Sequence, residues 1–504
     1  MLKMILDPTG NIQLTNDGNS ILREVDVAHP AAKNMVELSR TQDEEVGDGT
    51  TSVIILAGEI LKISEPFLHK NMHPRIIITA FYKALDVALD TLEKHAVVLD
   101  IENRDRLLKM VNTTLGTKMI SRFGNLISNL AIDAVKTIVT RNDAGQAEID
   151  IKRYIRVEKI AGDYLENSVV LDGILLNKDV VDSKMRRRIE NPRIVLLDCN
   201  LEYKKSESMT SIEITKESDW DLILKQEEEY IESICNAIIA VKPDLVVTEK
   251  GVSELAAHYL HRAGVSVLRR LKKTDNNRLA RAVGAVIVND PRDLKETDVG
   301  TGCGLFEVRK IGDEYYSYIE QCKDPKACTV ILRGASKDVL QEIDRNLQDA
   351  MAVVRNIFLD PRVVPGGGAS EMAVGCAINS LVHTLPGSQQ GPFREVGTAM
   401  EVIARTLSEN CGAKTIRLVT ELRSKHRMND QGIDEGFHWG IDGNAGEIAD
   451  ISKMDLWEPL LVKTQTLKTA IEAASMLLRI DLIASGLRSE QSKESVGAAE
   501  QQEE

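Results

Sequence analysis

The chain has 504 residues, 28% of them charged, and a formal net charge of −14. That length exceeds one compact domain and suits about three. The acidic balance disfavours nucleic acid, because an acidic surface repels phosphate backbones. The longest apolar stretch, 53–63, contains Glu59 and Lys62 and is too short to span a bilayer, so no membrane partner is expected.

In chain order, the first segment reads as strand, turn, strand, helix. Ile12 and Leu14 alternate with polar neighbours, and Thr15-Asn16-Asp17-Gly18 makes a turn. A helix begins after His29-Pro30, with Ala31, Ala32, Met35, Val36 and Leu38 on one side. Gly47-Asp48-Gly49-Thr50-Thr51 interrupts it, and a strongly apolar helix follows from Ser52. Residues 75–140 read as mostly helical, with Ile76, Ile77, Ala80, Ala84, Leu85, Ala88 and Leu92 at helical spacing. Around Ile149 the character changes. Short apolar runs of buried-strand type, Ile194-Val195-Leu196-Leu197 and Leu245-Val246-Val247, alternate with helical stretches at 222–239 and 253–262, which suggests an α/β domain.

Within that region 202–220 is a polar excursion carrying Met209, Ile212, Ile214 and Trp220. A long amphipathic helix runs from an N-cap at Ser336 to about Phe358, with Val339, Ile343, Leu347, Ala350, Val354 and Ile357 as its stripe. Residues 427–438 form a polar, Gly-containing loop, and the tail 489–504 is acidic and disordered by composition. The opening residues, Met1 to Pro8, break too soon for a signal peptide. The seven cysteines contain no CxxC pair, so zinc ribbons and thioredoxin chemistry lack support. Cys322 and Cys328 are the only close pair; they are spaced to bridge on oxidation, but a cytosolic setting favours reduced thiols.

Gly47-Asp48-Gly49-Thr50-Thr51-Ser52 is the most informative string. Its glycines permit close backbone approach, and the helix behind it offers free N–H groups and a positive dipole end to phosphate. Asp48 beside these donors makes sense as a ligand of Mg²⁺ bridging the same phosphates. An ordinary capped helix with a Gly-rich turn explains the composition equally well. No Walker A string occurs, and Gly300-Thr301-Gly302-Cys303-Gly304 fails the dinucleotide spacing. Asp17 alone reads as a turn carboxylate, and Asp349 as a helix-surface residue. Pro365-Gly366-Gly367-Gly368 is either a second nucleotide-contacting turn or a hinge. Glu254, His258 and His261 have ligand-like spacing on one helix but no further His or Cys support, so a solvated face is expected.

Taken together, Thr15-Asn16-Asp17-Gly18, His29-Pro30-Ala31-Ala32-Lys33 and the run from Gln42 to Thr51, QDEEVGDGTT, resemble the group II chaperonin signature. The runs TDNNRLAR (274–281), LRGA (332–335), NLQDAM (346–351) and VPGGGA (364–369) extend the resemblance over nearly the whole chain. CKDPKAC (322–328) and LWEP (456–459) resemble the gamma-subunit branch of the eukaryotic cytosolic chaperonin.

The resemblance implies a multidomain chaperonin fold of α+β and α/β parts. A mostly helical equatorial domain would be formed by 1–101 and 359–488, with a small intermediate hinge domain from 102–171 and 324–358. An α/β apical substrate-binding domain, 172–323, would carry a helical protrusion around 202–220. It further implies ATP and Mg²⁺, paralogous subunits in a hetero-oligomeric double ring of eight-membered rings, and unfolded client proteins. Matched by position, Asp48 becomes the metal ligand, and Gly49, Thr50, Thr51 and Ser52 the phosphate cradle. Thr117, Lys118 and Gly367 become further nucleotide contacts, and Gly443, Asn444, Glu458 and Lys463 the holders of base and ribose. Asp17 and Asp349 match the two acidic residues around the attacking water. The family's leading strand, helix and Leu-Gly-Pro loop have no counterpart ahead of Lys3-Met4, and Ile441-Asp442-Gly443 replaces its usual Val-Asn-Gly. The function expected is an ATP-hydrolysing folding machine subunit; the rival is a non-hydrolysing relative that only grips proteins.

Overall fold

The computed structural model describes residues 3–6, 10, 12–116, 118–143, 145, 147–203, 217–426 and 436–483. Most of the 202–220 excursion, residues 427–435 of the polar loop, Thr117 and the tail lie outside the described residues. The chain divides into two compact units, Met1–Lys118 with Asn356–Glu504, and Met119–Arg355.

The first unit is built from helices of both chain ends. Its core joins Val53, Leu56 and Ile60 of the helix Thr50–His69 to Ile77, Phe81 and Leu85 of the helix Pro74–His95, and these to Phe393, Ala470 and Ile471 from the far end. The stripe read at 76–92 is therefore this helix's buried face: Ile77, Ala80, Ala84, Ala88 and Leu92 are buried. Each large apolar side chain taken from water contributes about 1.5–3 kcal/mol. The strand Arg362–Pro365 runs between Val97–Val98 and Trp457–Pro459. An N-terminal hairpin pairs Lys3–Leu6 with Ile12–Thr15.

The second unit holds a four-stranded parallel sheet in the order Ser266–Leu268, Leu245–Thr248, Ile194–Leu197, Ile287–Val288. The helices Glu217–Ala240, Glu254–Arg262 and Lys273–Val283 alternate with its strands. The two runs read as buried strands, Ile194–Leu197 and Leu245–Val247, are its fully buried centre, as parallel strands covered on both faces require. Helical and α/β parts are thus both present, as expected. The sequence reading missed a four-stranded antiparallel sheet whose long hairpin pairs Leu305–Ile311 with Glu314–Glu320. It also missed a three-stranded sheet in which Cys328–Gly334 lies between Ile155–Ala161 and Val169–Leu171. The amphipathic helix spans Lys337–Leu359, and Ser336 Oγ accepts from Val339 N at 3.3 Å, as an N-cap does.

The hairpin also decides which cysteines are neighbours. Extending the Leu305↔Glu320 register by two residues sets Cys303 opposite Cys322, where Cys303 Sγ donates to Glu320 O at 3.5 Å. Cys328 instead donates to Ala134 O at 3.6 Å, and burial pushes its thiol up to about 12. All seven cysteines are free. Nearness in sequence was a poor guide because the hairpin brings a residue from 19 positions earlier to Cys322.

Candidate nucleotide site

The site grows from the junction of the helices Pro30–Glu45 and Thr50–His69. Gly47 and Gly49 take φ of 68° and 75°, the left-handed region that glycine enters without a Cβ penalty. This ends the first helix and lets the second start at once. The second helix begins at Thr50, two residues before the start read from sequence, so Thr50, Thr51 and Ser52 form its first turn. No side chain caps it, and its first intrahelical bond is Val53 N to Gly49 O at 3.1 Å. The N–H groups of Thr50, Thr51 and Ser52 thus have no partner inside the helix. Asp48 is half-buried, and its Oδ1 accepts from Gly49 N at 2.7 Å.

Asp17 is the N-cap of the helix Gly18–Glu24: its Oδ2 accepts from Ser20 N at 2.9 Å and from Ser20 Oγ at 2.8 Å. A Cβ on Gly18 would fall 2.4 Å from Thr51 Oγ1, so the Asp17 turn packs directly on the first turn of the Thr50 helix. Asp43 lies between these parts. It accepts from Asn19 Nδ2 at 2.6 Å and faces Arg23 at 3.7 Å. Burial first, then Asp17, lift its carboxyl above the usual aspartate range, against the pull of Arg23, Asn19 and Lys118. Asp43 therefore shows that Asp17 and Lys118 share one electrostatic neighbourhood.

The opposite wall comes from the far end of the chain. Gly367 and Gly368 have φ of 62° and 78°, and Gly368 precedes the helix Ala369–Leu381 in the same way that Gly49 precedes its own. Gly367 O accepts from Ile441 N at 3.0 Å, which docks the hairpin of Trp439–Asp442 and Glu447–Asp450 on this turn. Gly443 and Asn444 are exposed at the hairpin tip, where Asn444 N donates to Asp442 Oδ1 at 2.8 Å. Gly366 abuts Glu458, whose Oε1 would lie 2.7 Å from a Cβ there. Lys463 Nζ is 2.6 Å from Glu371 Oε1 and 2.8 Å from Glu458 Oε2. Burial alone would lower the Lys463 ammonium, but Glu371 and Glu458 hold it above the usual lysine range. Burial keeps Glu458 above the ordinary glutamate range against the opposing pull of Lys463, with Glu371 and Asp48 adding to the rise. Ser52, Ser370, Glu371, Lys463 and Thr466 line one cavity of about 10 Å³, so the two walls meet.

The first unit thus brings together Asp17, Asp48 to Ser52, Lys118, Gly367, the Gly443-Asn444 tip, Glu458 and Lys463. Asp349 is half-buried on Lys337–Leu359, within the second unit. No group of three or more His, Cys, Asp or Glu side chains gathers for a metal among the described residues. No helix among the described residues is long and apolar enough to cross a membrane.

The sequence profile of the TCP-1/cpn60 chaperonin family matches residues 1–486. The T-complex protein 1 subunit gamma of Bos taurus is 58% identical over 486 residues, 96% of this chain and 88% of the relative. The chain belongs to the TCP-1/cpn60 chaperonin family. The chaperonin chain is also 57% identical to the Homo sapiens gamma subunit, over 96% of the chain and 88% of that protein. To the gamma subunit of Oxytricha granulifera it is 56% identical, over 97% and 87%. Among solved structures it is similar to the open-state monomer of a group II chaperonin from Methanococcoides burtonii. There the TM-score is 0.65 at 30% identity, covering 86% of this chain and all of the other.

Four residues of this chaperonin cradle escaped the sequence reading. Gln42 is buried, and its Nε2 donates to Asp48 O at 3.1 Å and to Thr466 Oγ1 at 3.0 Å. Glu371 anchors Lys463, and Asp43 links Asp17 to Lys118. Gln42 and Asp43 stand inside the quoted QDEEVGDGTT run, so the signal was present there. Thr466 and Glu371 lie on anonymous helices and carried none.

Proposed function

We propose that this chain is a subunit of an ATP-driven, double-ring cytosolic chaperonin that binds unfolded proteins and folds them in a lidded chamber. One observation carries the reading: Gly18 meets Thr51, which seats the Asp17 turn on the N-terminus of the helix that follows Asp48. A carboxylate beside a phosphate-type helix start is the arrangement that hydrolysis of a triphosphate needs.

The residues present suit a magnesium triphosphate. Gly49 has no room for a Cβ, which would fall 2.9 Å from Thr466 Oγ1, and the N–H groups behind it have no intrahelical partner. Asp48 would hold the metal. Magnesium, when bound, offsets the charge on the phosphate oxygens. The N–H and hydroxyl groups of Thr50, Thr51 and Ser52, with Gly49, hold the phosphates, and Thr117 and Lys118 add contacts. Gly367, Gly443, Asn444, Glu458 and Lys463 form the ribose and base side. Asp17 and Asp349 orient water for in-line attack.

Equatorial (1–101 and 359–488), intermediate (102–171 and 324–358) and apical (172–323) domains divide the work. Nucleotide state biases the hinge between them, and the apical domain grips clients. Relatives named as T-complex subunits support paralogous partners in a hetero-oligomeric ring. The non-hydrolysing alternative is not favoured, since similarity runs through 96% of the chain and includes both walls of the cradle.

The test is Asp48→Ala in the intact assembly. Photolabelling of this chain by radioactive 8-azido-ATP with Mg²⁺ is expected to fall to background. Labelling equal to the parent would defeat the assignment.

A further inference from the structure

The loop between the two leading helices contains two glycines at positive φ, Gly47 and Gly49. Such a loop has little intrinsic preference, so its shape must be chosen by contacts from outside it. Two buried amides make those contacts. Asn356, fully buried, donates from Nδ2 to Val46 O at 2.8 Å. Gln42, fully buried, donates from Nε2 to Asp48 O at 3.1 Å and to Thr466 Oγ1 at 3.0 Å.

Chemistry fixes the orientation of both amides. A carbonyl only accepts, and the Thr466 hydroxyl has its proton committed to Val462 O at 2.8 Å, so each amide must present its NH₂. The C=O and N–H of one trans peptide point opposite ways. Anchoring Asp48 O on Gln42 therefore turns the Gly49 N–H to the other side, together with the Asp48 carboxylate that accepts from it. Asn356 lies in the last turn of the helix Lys337–Leu359.

We propose that Gln42 and Asn356 are positioning residues that aim the Asp48 loop. The proposal rests on the nucleotide reading above. Gln42 and Asn356 touch neither metal nor nucleotide; they act through the loop's carbonyls.

The experiment uses Gln42→Glu and Asn356→Asp, which keep shape and remove the donor, in the intact assembly. The readout is the Mg²⁺ concentration that half-saturates labelling of this chain by 8-azido-ATP. A lost buried hydrogen bond is expected to raise that midpoint on the order of tenfold, with full labelling regained at high Mg²⁺. A purely structural role would lower the melting temperature and leave the midpoint unchanged, and that result overturns the proposal. Should the carboxylates prevent assembly, Gln42→Met and Asn356→Leu remove the donors without charge and are read the same way. A parent chain that takes no label defeats the nucleotide reading and this proposal together. A labelled parent with unshifted variants defeats this proposal alone.

Discussion

Replacing Lys463 by Met removes the one cation between two acidic side chains. The Lys463 side chain is 9% exposed, that of Glu371 7% and that of Glu458 28%. Glu371 Oε1 takes the 2.6 Å bond to Lys463, and its Oε2 has no partner among the described residues. Breaking a buried pair by deleting one partner costs about 3–5 kcal/mol. The partial exposure of Glu458 moves the expectation to the lower end, about 3 kcal/mol once solvent screening is allowed for. For a unit of this size that is a fall of roughly 6–12 °C in melting temperature.

The pH dependence has a definite sign. In the parent, Lys463 is raised, so its contribution is present below the unfolded lysine value and lost only as pH climbs through the higher folded value. It is therefore flat from pH 5 to 8. In Lys463→Met the Glu458 carboxyl, already raised, loses the cation that opposes the rise, so the penalty is full at neutral pH and shrinks in acid as it protonates. Thermal unfolding at pH 8 and pH 5, followed by tryptophan fluorescence, reads both, since Trp439 and Trp457 lie in this unit. Adding Glu371→Gln should restore most of the loss. A drop under about 3 °C at pH 8, corresponding to roughly 1 kcal/mol or less, or one equal at both pH values, would refute the reasoning.

Two substitutions probe the cradle directly. Gly49→Ala must hold φ near 75°, at about 1–2 kcal/mol, and its Cβ displaces Thr466 Oγ1 and Gln42. Mg²⁺-dependent labelling should weaken sharply, whereas Gly58→Ala in the same helix, where a Cβ meets nothing within 4 Å, should stabilise by about 0.5–1 kcal/mol in the same melts. Asp43→Asn removes a carboxylate that burial and Asp17 disfavour. Because its folded value is raised, that charge weakens the fold only above it. The variant should melt higher than the parent at neutral pH and no higher in acid.

The sequence exposed those parts of the molecule whose signal is local. The glycine-bracketed Asp48 string names its own turn and helix start, and the stripe at 76–92 names its buried face. The chain's non-local pairings were hidden. The hairpin Leu305–Ile311 with Glu314–Glu320 turns on Gly312 and Asp313, yet its strands carry Glu, Arg and Lys at many positions and show weak alternation. Cys303 reaches Cys322 only through that register. The helix start at Thr50 instead of Ser52 was missed because Thr50 and Thr51 look like loop hydroxyls until the φ of Gly49 places them inside the first turn. Lys463 gave no sign of Glu371, which is 92 residues away.

The same non-locality says when the site can exist. Gln42 is bound to Thr466 across 424 residues and Asn356 to Val46 across 310. The Asp48 loop, with two glycines and few bonds of its own, has its geometry imposed by the last third of the chain. Closing such contacts costs loop entropy that local helix formation does not repay. The leading helices can therefore form early while the phosphate cradle remains unshaped until the helix Leu460–Leu477 docks against Thr50–His69. On the proposed nucleotide reading, capture reports completion of the whole first unit, because the Asp48 loop and the Thr466 that positions Gln42 come from opposite ends of the chain.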